Sequence, residues 1–176
     1  RIAAVVALRR MRHPGVAGFL NDTDEFVVTE AARAINDDLS IKEALPALGN
    51  LLKTTAFSNE ALIRRSINAN LRVGTDEAMQ NLISFSLLQS HPATLRAEAI
   101  AALSTWSRPS VLDRVDGRYR GVIERDPALV KNKAGEALVS LLNSKELTVR
   151  INAVKAISKT GIIQGAAPLL SLLKND

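Results

Sequence analysis

The chain writes one passage twice. Residues 20–35, LNDTDEFVVTEAARAI, and residues 142–157, LNSKELTVRINAVKAI, run in phase without a gap. Leu20 meets Leu142, Asn21 meets Asn143, Asp24 meets Glu146 and Val27 meets Val149, and both end in Ala-x-x-Ala-Ile. Self-similarity of this kind marks a unit that cannot bury its apolar side alone and needs copies of itself as neighbours. Five octamers share the register: 1–8, 28–35, 64–71, 96–103 and 150–157. Their fourth residues are Ala4, Ala31, Ile67, Ala99 and Ala153, and their seventh are Ala7, Ala34, Asn70, Ala102 and Ala156. The eighth are Leu8, Ile35, Leu71, Leu103 and Ile157, and Val27, Ile63, Leu95 and Val149 precede four of the copies. Apolar spacings of three and four trace one face of a helix. Alanine at two of those places lets a second helix come close. Each octamer therefore predicts an inner helix with a buried stripe.

A partner helix precedes each copy. IKEALPALGNLL (41–52) and IQGAAPLLSLL (163–173) align with Pro46 on Pro168, Leu48 on Leu170 and Leu51 on Leu173. Proline inside such a pattern predicts a kink, because it removes a backbone donor and crowds the preceding turn. Ser40 with Glu43 reads as a capping box opening the first of these helices. Asp126-Pro127 opens another, with Asp as cap and Pro at the first helical position, and Thr75-Asp76 opens the one between them. The unit is helix, short turn, helix. Successive octamers start 27, 36, 32 and 54 residues apart, the last interval being widened by residues 107–125.

The outer Ala-x-Pro-x-Leu and the inner acid-x-x-aliphatic-Arg-x-x-Ala-x-x-Ala-Leu resemble HEAT repeats. The acid falls at Asp24, Glu60 and Glu146, with Pro92 departing, and the arginine at Arg64, Arg96 and Arg150, with Val28 departing. The resemblance implies an all-α superhelix, a HEAT-repeat solenoid of about four to five helical hairpins. It covers 1–176 as a single HEAT-repeat domain, with 107–125 as an inter-repeat loop. The opening RIAAVVALRR is helix-periodic from its first residue, so the expectation is a fragment of a longer polypeptide, with a half-unit at each end. ALRRMRHPGVAGFLNDTDEFVVTEAARAIND (7–37) and VLDRVDGRYRG (111–121) resemble, more narrowly, the HEAT region of bacterial membrane-associated dehydrogenase-like proteins. Those combine a sugar-dehydrogenase-type propeller, a HEAT array and a cytochrome c-type haem domain. That resemblance implies a periplasmic or membrane-associated spacer, with the catalytic and haem-binding residues outside this chain.

Chemistry-bearing motifs are sparse. There is no Cys, hence no disulfide framework and no thiolate metal or haem-attachment site. His13 and His91 stand far apart, each before a proline and so at a turn, which does not suggest a metal pair. Neither a Gly-x-Ser-x-Gly elbow nor a phosphate-cradling glycine loop occurs. The expectation is a domain that is not itself an enzyme and holds no catalytic, cofactor-binding or metal-ligating residue. No apolar run approaches the roughly 20 residues that span a bilayer.

The net charge of +5, from 23 basic and 18 acidic residues, keeps a HEAT-like domain binding the DNA backbone as the alternative. Acid-first pairs four apart, Glu60–Arg64 and Glu146–Arg150, suit instead a solvated face worth about 0.3–0.5 kcal/mol each. No aromatic contacts with a catalytic Asp, of the kind HEAT-like DNA glycosylases use, stand beside the charge. The favoured partner is a protein, or neighbouring domains of the same chain, rather than nucleic acid. Candidate contact residues are Arg64, Arg65 and Arg96 on inner helices and Arg118, Tyr119 and Arg120 in the loop. The loop either docks a partner, since Arg and Tyr suit interfaces, or folds against its own helices. Asn68 and Asn70, in SINANL, read as buried and bonded to a neighbouring turn, or as ligand contacts on the inner face. Trp106 reads as packing at a helix end.

Overall fold

The computed structural model describes residues 1–37, 41–54 and 57–175, the last four of these by backbone alone. It is all-α, and no strand occurs among the described residues. The helices are α1 (Ile2–Met11), α2 (Glu25–Asn36), α3 (Leu45–Asn50), α4 (Glu60–Val73), α5 (Asp76–Leu87), α6 (Ala93–Ser104), α7 (Ala128–Ser140), α8 (Leu147–Thr160) and α9 (Ala166–Asn175). Short 3₁₀ turns lead into or out of several of them, the longest being Pro14–Asn21 before α2. All five octamers fall on helices: α1, α2, α4, α6 and α8.

Two compact units result, residues 1–81 with 110–121, and residues 82–109 with 122–176. In the first, α2 lies between α1 and α4, with the 3₁₀ turn Pro14–Asn21 against α2 and α3 against α4. In the second, α8 packs on α6 and α7. The repeated positions carry these contacts. Ala31, Ala34, Ala99, Ala102, Ala153 and Ala156 are all fully buried, as are Ile35 and Leu103. The doubled passage also folds twice in the same way. Both copies leave a 3₁₀ turn at Asn21 or Asn143, place Asp24 or Glu146 at the helix N-terminal boundary (only Asp24 bonding there through its side chain), and bury Val27 or Val149.

Helix starts follow the sequence closely, except that α7 begins at Ala128 with Pro127, not Asp126, in the cap position. Asp24 Oδ1 accepts from the Phe26 N–H at 3.0 Å, Thr75 Oγ1 from the Ala78 N–H at 3.2 Å, and Asp126 Oδ1 from the Ala128 N–H at 2.8 Å. Each satisfies one of the donors that a helix leaves open at its first turn. The Ser40 cap lies outside the described residues.

Three expectations are corrected. Pro46 does not kink a continuous 41–52 helix. A 3₁₀ turn at Lys42–Ala44 comes first, and α3 begins at Leu45 with Pro46 in its first turn, where the missing N–H would have had no partner anyway. Arg150 does not pair with Glu146, because its guanidinium turns to the carbonyls of Ser144 at 2.9 Å and Lys145 at 3.2 Å. The first octamer does not bury its alanines. Ala4 and Ala7 are exposed, and α1 faces its neighbours through Ile2, Val5 and Leu8 instead.

Asn70 breaks the alanine pattern for a reason visible across the α3–α4 contact. Its amide donates to Gly49 O at 2.8 Å and Ser66 O at 2.9 Å, and its oxygen accepts from Asn81 at 3.0 Å. A β-carbon at Gly49 would lie 2.9 Å from that oxygen, so the larger residue on α4 requires the smallest on α3. Asn70 is thus the buried, bonded asparagine of the first alternative.

Candidate functional site

Residues 110–121, the middle of the insertion, form a miniature antiparallel hairpin within the first unit. Leu112 and Tyr119 make its bridge, flanked by Asp113 N–H to Arg118 O at 2.8 Å and Arg120 N–H to Val111 O at 2.7 Å. The turn is written in its carboxylates. Asp113 Oδ1 accepts from the N–H groups of Val115 (2.8 Å) and Asp116 (3.2 Å), and Asp116 Oδ1 from that of Arg118 (2.9 Å). Gly117 then takes φ of 72°, a left-handed conformation that costs glycine little.

The register sets which side chains face out. Hydrogen bonds from the residues on either side make Leu112–Tyr119 a non-hydrogen-bonded pair, the kind whose side chains stand closest, on one face of the ribbon. Period-two alternation sends Asp113 and Arg120 to the opposite face. In an ordinary half-buried hairpin the apolar pair would be inside. Here the polarity is reversed: the side chains of Asp113 and Arg120 are 0% and 3% exposed, whereas Leu112 and Tyr119 are 50% and 69% exposed.

What holds the charges inside is a balanced network with α2 and α4. Asp113 Oδ2 accepts from Arg120 Nε at 3.0 Å and Asn68 Nδ2 at 2.8 Å, with Arg72 Nε at 3.9 Å. Arg120 Nη2 donates to Asp116 and to the carbonyls of Asn36 (2.9 Å) and Asp37 (2.8 Å), the end of α2, where a helix dipole favours a cation. Arg72 donates to the carbonyls of Ser110 and Leu112. Arg65 grips Asp37 through two bonds of 2.8 and 2.9 Å. Burial alone would raise the Asp113 carboxyl, but the Val115 N–H, Arg120, Asn68 and the Asp116 N–H together hold it below the usual carboxylate range. Burial lowers the Arg72 guanidinium, against the pull of Asp113.

The residues singled out from sequence therefore part company. Arg65 and Arg120 are consumed in this network, and buried Arg96 donates through Nε to Ser86 O at 2.9 Å. Arg64 is half-buried beside Glu60 at 3.4 Å. Arg118 and Tyr119 stand exposed on the hairpin, Arg118 reaching Asp37 O at 3.4 Å. Sequence reading passed over Leu112, Asp113, Arg72, Asn36 and Asp37. Only the Asp-x-x-Asp-Gly spacing of the turn could have signalled part of this set. Asn68 joins the network through Asn36 Oδ1 at 2.8 Å as well as Asp113.

In the second unit Trp106 is buried just past α6, with the Arg125 guanidinium 4.7 Å above its ring. His91 stacks on Phe85 with centroids 4.4 Å apart. Burial, and then the charge of Arg96, lower its pKa. The unfolded chain therefore takes up a proton near pH 6.5 that folded His91 refuses, so stability falls as pH drops below that value. The lowered Asp113 contributes stability above the ordinary carboxylate range, and loses it as pH falls further through its own folded value. Thermal melts should show two separate declines, the first between pH 7 and 5. His91→Gln should remove the first and leave the second.

Among the described residues, no group of three His, Asp or Glu side chains is placed to hold a metal ion, and no helix is long and apolar enough to cross a membrane. No family model matches the chain, and no curated protein matches it. Among solved structures it is similar to the crystal structure of an engineered protein, with 20% identity and a TM-score of 0.53 over 87% of this chain and 40% of that one. At that identity the likeness concerns the fold alone, and the chain spans less than half of that protein's length.

Proposed function

We propose that this chain is a non-catalytic scaffold built of HEAT-type helical hairpins, serving as a protein–protein interaction module for a partner or for neighbouring domains. The observation that carries the reading is the reversed hairpin, which spends a buried ion network to hold Leu112 and Tyr119 towards solvent. The coincidence of the octamers with helices, and the burial of their alanines from α2 onward, support the repeat. The alternative, binding to the DNA backbone, draws on the net positive charge, yet Arg65, Arg72, Arg96 and Arg120 are all engaged inside the protein. Loss of those cations to internal bonds favours the protein partner.

A photoreactive benzoylphenylalanine placed at Tyr119 of the full-length protein, in its native host, should yield a discrete adduct with one protein or with another domain of the same polypeptide. The same residue at exposed Thr94 should not. Equal labelling from both positions, or tight duplex-DNA binding that weakens steeply with salt, would overturn the proposal. The narrower reading, a spacer in a larger dehydrogenase-like protein with a haem domain, rests on the sequence resemblance. It requires propeller and haem-attachment sequences beside this segment in the full gene, and flanks lacking both would end it.

A further inference from the structure

We infer that copies of this chain join head to tail, α1 of one copy packing on α9 of the next. The contact is separate from the hairpin and follows from the internal repeat. α3 and α9, each with the residues that lead into it, are two versions of one outer segment, aligned from Ile41 on Ile163 to Gly49 on Ser171. With α4 packed against it, the first version buries Ile41, Leu45, Leu48 and Gly49, and Ile41 and Leu48 have no exposure at all. The same four places in the second version, Ile163, Ala167, Leu170 and Ser171, are exposed, Ile163 by 84% and Leu170 by 61%. What α4 does for α3, no helix among the described residues does for α9.

α1 carries the other half of this contact. In α4 the seventh residue of the octamer, Asn70, faces α3 and donates to Gly49 O. Its counterpart on α1 is Ala7, which is exposed together with Ala4 at the fourth place, whereas Ile67 and Asn70 are buried. Ala4, Ala7 and Met11 follow one side of α1 at spacings of three and four, and Met11 is 64% exposed. Thus α1 is an inner-type helix with the side towards an outer helix open, and α9 is an outer-type helix with the side towards an inner helix open. Side-chain size then selects the occupant. Asn70 tolerates only glycine opposite it, since a β-carbon at Gly49 would lie 2.9 Å from the Asn70 oxygen. α9 has Ser171 at that place, whose β-carbon excludes an Asn70-like helix but leaves room for an alanine. The other octamers with alanine at the seventh place, in α2, α6 and α8, keep it fully buried. α1 of a second copy offers the same alanine in the open.

Sedimentation of the purified chain at rising concentration, up to about 1 mM, tests this assembly. Wild type should associate as concentration rises. Ala4→Asp and Leu170→Asp should each stay monomeric alone, because one spoils the α1 face and the other the α9 face. Mixed in equal amounts they should form a dimer that grows no further, since each keeps the face that the other lacks. Ala7→Asn should weaken association roughly tenfold by overfilling the contact. Adding Ser171→Gly to that variant should restore it, by rebuilding the match of Asn70 with Gly49. All four sites are exposed in the single chain, so unchanged circular dichroism would show that the fold persists. A chain that stays monomeric throughout, association that survives Ala4→Asp, or mixed variants that do not pair would each overturn the inference. The first result would leave both faces to a helix of another protein, and the second would mean that like faces pair across a two-fold axis.

Discussion

Ala153→Asp is expected to destabilise the protein by about 3–5 kcal/mol, and Ala4→Asp by no more than about 0.5 kcal/mol. Both alanines hold the fourth place of the repeated octamer. Ala153 is fully buried on α8, a helix packed against α6 and α7. A carboxylate there has neither water nor a cation designed to receive it, and it needs space that the flanking helices fill. Ala4 is exposed in the first turn of α1, where an acid meets the favourable end of the helix dipole. Urea unfolding of the two variants checks the contrast. Equal losses would mean that the repeat register, rather than local cover, sets burial. A small loss at Ala153 would contradict the inner face of α8.

The same contrast marks how far the fold could be read from the sequence. Periodicity locates the helices, and local grammar locates the starts of α5 and α7, because Thr75 and Asp126 act on donors only two or three residues away. Which side of a helix is covered depends on what lies beside it. In α2 the apolar residues gather on one side, so the covered face is legible from the sequence. IAAVVAL in α1 is apolar nearly all round, and the stripe Ile2–Val5–Leu8 competes on equal terms with Ala4–Ala7–Leu8. The neighbours chose the former. The candidate site was less legible still. The bonds that aim the hairpin join Asp113 to Asn68 and Arg120 to Asn36, pairs 45 and 84 residues apart that no spacing rule records. Arg65, Arg96 and Arg120 looked like surface contacts because arginine usually is one. Their burial followed from partners that only the fold supplies. Tyr119 stood out by composition, whereas its neighbour Leu112 became visible only through the register of the bridge.

Asp113→Ala should cost about 3 kcal/mol, the lower end of the range for breaking a buried charge pair. The loss arises because Arg120 and Arg72, each with a 3% exposed side chain, keep their charge after their shared carboxylate is gone. It is moderated because Arg120 still bonds Asp116 and the end of α2, and Arg72 still bonds Ser110 and Leu112. Combining Asp113→Ala with Arg120→Met removes one stranded cation along with its acid, so the pair of changes should cost less than the sum of the two made singly. The dependence on pH separates electrostatics from packing. The native carboxyl sits below the usual carboxylate range, so the gap between wild type and Asp113→Ala should be full at neutral pH. It should close as acid protonates Asp113 in the native protein. A gap that stays constant down to pH 2 would mean that the carboxylate fills space rather than balancing charge. The hairpin would then owe its outward-facing Leu112 and Tyr119 to its turn alone. Hydrogen exchange at the Asp113 and Arg120 amides, whose bonds close the bridge, should quicken in Asp113→Ala if the network is what fastens the ribbon to α2 and α4.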